Sequence, residues 1–375
     1  MRVACLAASR VPSRTANSIQ VMKVAQALAD LGHEVQLELP GPDPRASAED
    51  LKQRYGLRIA VPVRWLPSLP FARRYDFAFH AVRAARAWRA DLVYAWPLPA
   101  AAFSAWLGMP TLVEMHDVPS GLLGRRWFGA FLGARGARRV VPISRALLRR
   151  LREDFPRWHA APEADVQPMG VDLDRYEGLP DPPEARRRLG LDERLTASYT
   201  GHLYAGRGMD LLFELARLHP EVQFLWIGGE EAAIDRWRLR QQETHQENLR
   251  VVGFRNLTEL PLYHAASDVL LMPYERRVAG SSGGDTAAFA SPMKMFEYLA
   301  AGRAILSSDL PVLREVLHEG IARLVPPMDA GAWSRALRGL MEEPSARLAL
   351  GHAARQEAAR HSWTERTRRA LAGLP

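Results

Sequence analysis

The sequence predicts an α/β protein made of two Rossmann-like, doubly wound domains that face each other across a cleft. Three observations carry this expectation. The chain has 375 residues, more than a single hydrophobic core usually organises. Short β-branched or apolar runs alternate with segments of helical period from end to end, the pattern of parallel strands joined by right-handed crossovers. The alternation pauses in GVDLDRYEGLPDPPEARRRLG, where five prolines and glycines fall between Gly178 and Gly190, as expected of a linker.

In chain order, VACLA, EVQLEL, DLVYAW, TLVEM, RRVVPI and ADVQPM read as strands of the first half. SIQVMKVAQALADL, DFAFHAVRAARAWRA and RALLRRL read as helices between several of them. In the second half the strands are RLTASYTG, QFLWIGG, LRVVGF, DVLLMPY, RAILSS and ARLVPP, with helices such as MDLLFELARL between them. This gives a domain over 1–178 and a domain over 179–359. A last helix within 360–375 has a pattern that fits either domain, including a return to the first. Open parallel sheets bind ligands beyond the carboxyl ends of their strands, so function is expected in the loops that follow strands.

Composition is ordinary for a globular protein, with 47% hydrophobic and 25% charged residues, which argues against long disordered tracts. Cys5 is the only cysteine, so no internal disulfide forms and a reducing, cytoplasmic location is expected. No window approaches the roughly 18 apolar residues of a membrane span. The formal charge of +8 is uneven: ten arginines face two acids between 125 and 157.

The stretch SPMKMFEYLAAGRAI, residues 291–305, places a lysine and a glutamate in an otherwise apolar segment. Ser291 is a good N-cap and Pro292 suits the first helical position. Lys294 and Glu297 then lie one turn apart on one face, and Gly302 ends the helix. A helix N-terminus with an added ammonium suits a phosphate, and a carboxylate one turn deeper suits the vicinal diol of a ribose. A solvent-facing Lys–Glu pair is the plainer alternative. The preceding loop VAGSSGGDTAAFA, with three glycines, suits a binding loop better than a simple connector.

With FEYLAAGRAI followed by SSDLPVLREVL, the segment resembles the donor-binding part of family 4 retaining glycosyltransferases of the GT-B fold. NSIQVMKVAQALADLGHEV, EMHDVP, VVPISRALLRRL, QPMGVDLDRY and TGHLYAGRGMDLL resemble further motifs of that family, in its order, from about residue 15 to residue 318. The resemblance implies a hexosyltransferase that moves a sugar from a nucleotide-diphosphate sugar to a glycan, lipid-linked or small-molecule acceptor, in cell-envelope polysaccharide or glycolipid synthesis. It places the donor in the second domain, with Glu297 on the ribose and the loop running into Ser291 and Lys294 on the diphosphate and sugar. The loop from Gly201 to Gly208 would meet the phosphates, with His202 and Arg207 standing where the family presents an arginine and a lysine. Arg207 keeps the charge and a bidentate geometry; His202 is charged only in part near neutrality, so Lys294 would supply what it lacks.

The family's Glu-x7-Glu pattern is incomplete, because Phe289 occupies the first position. Asp285, in the same loop, is the candidate replacement, and the departure leaves a reduced activity open. His116 and Asp117 follow the strand TLVEM, where the family places its histidine near the sugar and leaving phosphate; a satisfied turn is the alternative. Asn17 and Ser18 read as an N-cap that could also bind a phosphate or acceptor group, and Ser144 as either a plain cap or a site residue. DLD at 172–174 lies away from the predicted phosphates and is rejected as a metal site. No zinc spacing occurs, and the fold's members generally use protein charges instead of a metal, so no cofactor is expected.

Breaking the sugar–phosphate bond leaves negative charge on the departing oxygen, which fixed cations offset; His116, Arg207 and Lys294 are the catalytic candidates. No nucleophile stands out, in accord with the family's same-face displacement with retention. GLLGRRWFGAFLGARGARRV, within 124–157, sets Trp127, Phe128, Phe131 and Leu132 beside arginines. It reads equally as a peripheral contact with an anionic inner membrane face and as an ordinary helix with its aromatics in the core. Competing functions are a sugar-nucleotide epimerase or hydrolase, or a non-catalytic membrane- or nucleic-acid-binding protein of the same fold, though no nucleic acid is expected. A nicotinamide-dependent oxidoreductase is disfavoured by the missing GxGxxG after the first strand.

Overall fold

The computed structural model describes residues 1–42, 45–69, 74–156, 158, 163–277 and 288–374. The chain divides into two compact units, one of Met1–Met169 joined by the segment beginning at Trp363, the other Gly170–Ser362.

The first unit contains β1 (Arg2–Leu6), β2 (Glu34–Pro40), β3 (Val63–Leu66), β4 (Leu92–Ala95), β5 (Thr111–Met115), β6 (Arg138–Pro142) and the two-residue β7 (Glu163–Ala164). All pair in parallel in the order β3-β2-β1-β4-β5-β6-β7. Every residue of β4 and β5 is buried, as expected when helices cover both faces of a parallel sheet. The strand order reverses between β1 and β4, which opens a crevice at their carboxyl ends. The helix Ala16–Asp30 starts there, capped by Thr15, whose side chain accepts from the Ser18 N–H.

The second unit repeats the plan with β8 (Thr196–Thr200), β9 (Gln223–Ile227), β10 (Leu249–Gly253), β11 (Val269–Met272), β12 (Ala304–Ser308) and β13 (Arg323–Val325). Their order is β10-β9-β8-β11-β12-β13, again parallel, with the reversal between β8 and β11. Trp226, Trp333, Phe213 and Phe224 anchor one side of its core. Trp226 and Trp237 meet edge to face at 5.1 Å, the arrangement the ring quadrupoles favour.

The predicted α/β architecture of two Rossmann-like units is therefore present. Three details differ from the sequence reading. β3 was not anticipated; it is a short strand at the sheet edge beside Pro62 and Pro67, residues that usually signal a break. ADVQPM contributes only Ala164 to a strand; the Asp165 and Gln167 N–H groups still donate to the Val140 and Pro142 carbonyls of β6, both at 3.0 Å, and Pro168 has no N–H to continue the ladder. The division falls at 169/170 and not at 178/179. The reason is local: the Val171 N–H donates to the His361 carbonyl at 2.9 Å and Val171 bridges Ser362, tying the GVD segment to the second unit. The C-terminal helix starts at Trp363, belongs to the first unit and packs against the helix Ala16–Asp30.

Candidate active site

The second unit gathers its candidate residues at the β8/β11 reversal. After β8 the chain passes through Gly201, at φ +134°, and returns at Gly208, at φ +70°. A Cβ on Gly208 would stand 2.0 Å from the Pro273 carbonyl oxygen beyond β11, so only glycine lets the two loops approach. A Cβ on Gly201 would stand 2.7 Å from Lys294 Nζ. The loop thus packs its bare backbone against the ammonium.

Lys294 sits on the helix Met293–Ala301, which ends at Gly302 in the left-handed conformation, φ 63°. The helix begins later than the sequence suggested. Pro292 is the cap in extended conformation, no side chain caps the helix, and Ser291 lies outside it.

Lys294 is half-buried as a residue, but its Nζ is enclosed and has no hydrogen-bond partner among the described residues. The ammonium lies 3.7 Å from the Tyr199 ring centroid and 5.3 Å from that of Tyr274. Arg207 lies over Tyr274 at 4.8 Å and Tyr204 at 5.0 Å, and one of its N–H groups donates to the Tyr204 hydroxyl at 2.8 Å. Burial, then the Arg207 charge, push the Lys294 pKa well below the lysine range, with Glu297 pulling the other way. Among the described residues, two cations near a helix N-terminus, with aromatic faces and no anion within bonding reach of Nζ, form a site short of negative charge. His202 stacks on Tyr204 at 5.1 Å; burial and then the Arg207 and Lys294 charges lower its pKa, so it is neutral at pH 7.

Glu297 follows one turn below Lys294 and is half-buried. After burial, its charge is the largest influence raising the pKa of Tyr176. Beneath the β8 loop the Tyr176 hydroxyl meets His264 Nδ1 at 3.1 Å, and His264 Nε2 meets the Thr200 hydroxyl at 3.3 Å. Burial, followed by the Arg175 and Lys294 charges, holds His264 down at about 3, so this floor is uncharged. Asp285 lies outside the described residues.

In the first unit a cavity of about 450 Å³ opens beyond β4 and β5. Asn17, Trp96, His116, Asp117, Tyr75 and Trp127 are among the residues lining it. His116 Nε2 lies 2.9 Å from Oε1 of Glu114, the buried penultimate residue of β5. Asp117 Oδ1 accepts from the Val118 N–H at 2.7 Å, so Asp117 shapes the turn as well as the cavity wall. The structure corrects the reading of Asn17 and Ser18 as a cap. Thr15 is the cap, and Ser18 is fully buried with its hydroxyl bonded to the Ser13 and Thr15 carbonyls. Asn17 accepts from the Ser9 hydroxyl and lines the cavity. Ser144 caps its helix, accepting from the Leu147 N–H at 3.1 Å.

The profile described as Glycosyltransferase Family 4 matches residues 18–175, and that of Glycosyl transferases group 1 matches residues 194–343. The chain belongs to the family 4 glycosyltransferases. A GDP-mannose-dependent alpha-(1-6)-phosphatidylinositol monomannoside mannosyltransferase of Mycolicibacterium smegmatis is 28% identical over 303 residues, covering 69% of this chain and 76% of that one. A phosphatidyl-myo-inositol mannosyltransferase of the same organism is 27% identical over 369 residues, covering 92% and 86%. Among solved structures, Anabaena Alr3699/HepE in complex with UDP-glucose superposes with a TM-score of 0.75 at 17% identity, over 100% of this chain and 99% of that one. WaaG, a glycosyltransferase involved in lipopolysaccharide biosynthesis, superposes at 0.67 and 16% identity, over 99% and 100%. These likenesses carry the GT-B fold.

For this glycosyltransferase, the residues that sequence reading missed are Glu114, Tyr199, Tyr204, Tyr274 and Arg366. Glu114 left a signal, a carboxylate inside the apolar strand TLVEM. The basic segment of the glycosyltransferase is partly consumed by the fold. Arg138 donates to the Phe131 carbonyl at 2.9 Å and Arg139 to the Ala370 carbonyl at 3.0 Å, each closing a helix C-terminus. Phe128 and Phe131 are fully buried, which takes the core alternative for these two; the exposed large apolar residues of that helix are Leu122 and Leu123, at 65% and 45%. Asp172 pairs with Arg175 at 3.7 Å. Among the described residues no group of three His, Cys, Asp or Glu can hold a metal, and no helix is long and apolar enough to cross a membrane.

Proposed function

We propose that this glycosyltransferase takes a hexosyl group from a nucleotide-diphosphate sugar, retains its anomeric configuration, and delivers it to a glycan- or lipid-linked acceptor in cell-envelope glycolipid or polysaccharide synthesis. The observation that carries the reading is the enclosed Lys294 ammonium, held against the Gly201 backbone beside Arg207 with no bonded anion among the described residues. A diphosphate supplies the missing negative charge. Lys294 and Arg207 would bind its oxygens and offset the charge that grows on the leaving group, and the helix start at Pro292 would add backbone N–H groups. Glu297 would accept from the ribose hydroxyls. His202, being neutral, would offer an imidazole to a sugar hydroxyl and contribute no cation.

On the acceptor side, Asn17, His116 and Asp117 line a cavity whose Tyr75, Trp96 and Trp127 rings suit the apolar face of a sugar or cyclitol ring. The donor chemistry calls for no resident cofactor or metal, since protein cations answer the leaving charge. The glycolipid mannosyltransferases among its relatives support a cytoplasmic protein attached peripherally to an anionic leaflet. Leu122 and Leu123 would enter the interface, with exposed Arg125 and Arg126 adding about 1 kcal/mol each near anionic lipid.

A thermal-shift panel of UDP- and GDP-sugars tests the donor assignment: one of them should raise the melting temperature saturably, and none doing so would sink it. Proton NMR of the product's anomeric signal tests retention. Flotation with phosphatidylglycerol vesicles should recover the wild type and lose the Leu122→Ser/Leu123→Ser variant; equal recovery of both would remove these leucines from the account.

A further inference from the structure

We propose that Glu114 is a positioning residue for His116, anchored by Arg366 of the C-terminal helix, so that His116 presents an unprotonated Nδ1 to the cavity. The inference rests on the acceptor-side reading of His116 and extends it to residues that touch no substrate.

Glu114 has a fully buried side chain gripped from four directions. Arg366 Nη2 donates to Oε1 at 2.7 Å, the Gln20 amide donates to the same oxygen, the Tyr94 hydroxyl donates to Oε2, and His116 Nε2 lies 2.9 Å from Oε1. These partners come from the C-terminal helix, the helix Ala16–Asp30, β4 and the end of β5. Arg366 is itself only 1% exposed. Its Nε donates to the Pro168 carbonyl at 2.6 Å, Nη2 to the Gln167 carbonyl at 3.3 Å, and Nη1 to the Tyr94 hydroxyl at 3.4 Å.

An ionised carboxylate only accepts hydrogen bonds. His116 Nε2 must therefore carry the proton it gives to Glu114, which leaves the Nδ1 lone pair as the ring's acceptor. This arrangement fixes both tautomer and ring orientation, as carboxylate–imidazole pairs do elsewhere. It works only while Glu114 stays ionised. Burial alone would raise the Glu114 pKa, but Arg366, then the His116 and Tyr94 contacts, hold it at about 2. Nδ1 can then accept from a hydroxyl of the acceptor or of the transferred sugar.

The test is the imidazole nitrogen spectrum of His116 in the full-length protein, compared between wild type and Glu114→Gln. Wild type should show a protonated Nε2 and a bare Nδ1. In the variant the carboxamide can donate to Nε2, and the proton should move to Nδ1, with nucleoside diphosphate release from GDP-mannose or UDP-glucose falling about 10–100-fold in kcat and less in KM. A wild-type spectrum with the proton on Nδ1 overturns the proposal, even if the variant does not fold. So does a folded variant with unchanged tautomer and turnover. Full turnover in His116→Ala would sink the role given to His116 while leaving the tautomer measurement to stand or fall by itself.

Discussion

Replacing Lys294 with methionine separates binding from folding more sharply than any other change in the second unit. Methionine keeps an unbranched side chain of similar reach and can lay its sulfur against the Tyr199 ring, 3.7 Å from the present ammonium. Nζ is enclosed with no hydrogen-bond partner among the described residues, and an unsatisfied buried polar group costs about 1–3 kcal/mol. A desolvated cation–π contact recovers up to about 2 kcal/mol. From these opposing figures the substitution changes the stability by about −1 to +3 kcal/mol, centred on a gain of about 1 kcal/mol. At about 2–4 °C per kcal/mol for a unit of this size, the melting temperature rises by a few degrees. Donor binding goes the other way. A charge-assisted hydrogen bond to phosphate is worth about 1.5–3 kcal/mol, so Kd for the nucleoside diphosphate weakens about 10- to 150-fold.

The pH dependence adds a check. The folded Lys294 pKa lies below the ordinary 10.5. Between the lowered pKa and 10.5 the unfolded chain binds more protons than the folded one, so stability rises with pH across that window. The methionine variant should lack this rise. Calorimetric titration with UDP and GDP, alongside thermal unfolding, measures both quantities. A variant that melts lower and binds the diphosphate as well as wild type refutes the reasoning.

Three further outcomes follow from the same geometry. Gly208→Ala should destabilise the second unit by more than about 2 kcal/mol, combining left-handed strain with a Cβ at 2.0 Å from the Pro273 carbonyl; urea unfolding measures it, and a neutral result would contradict the close approach. Glu297→Ala should abolish turnover through lost donor affinity, with Kd weakened at least about 10-fold by loss of a charged hydrogen-bond acceptor, while the ligand-free melting point stays within a few degrees; unchanged turnover would refute its role. Acid unfolding reports on Glu114. Its folded pKa of about 2 lies below the ordinary 4.5, so its contribution is present above pH 4.5 and fades as pH falls toward 2. Arg366→Met removes the partner and costs about 3–5 kcal/mol, so acid unfolding should begin at higher pH; an unshifted midpoint would show that the pair does not support the fold.

What the sequence revealed about the site follows its locality. Lys294, Glu297 and Gly302 share one helix, and spacing places them correctly because the helical period is local. The same reading shifted the start of that helix to Ser291, a position where propensity does not distinguish a capping serine from one just outside. The tyrosine faces around Lys294 were illegible. Tyr199 is the penultimate residue of β8 and Tyr274 follows β11, and only strand order makes them neighbours. Arg366 is more remote still, since its partner Glu114 lies on β5 and nothing near either residue records the pairing. The aromatics of GLLGRRWFGAFLG fit two surroundings by periodicity, and packing decided them: Phe128 and Phe131 enter the core, while Leu122 and Leu123 stay outside. At the fold level, alternation gave both sheets, and the omission was an edge strand flanked by prolines.

The central claim is that Lys294, Arg207 and Glu297 form the donor's diphosphate and ribose site. The most direct measurement is a structure of this chain with a bound nucleotide-diphosphate sugar. Diphosphate oxygens within hydrogen-bonding distance of Lys294 Nζ and Arg207, with the ribose hydroxyls on Glu297, is the expected result. A diphosphate bound elsewhere on the chain, with the Lys294 ammonium still packed against tyrosine rings and no phosphate beside it, would contradict the claim.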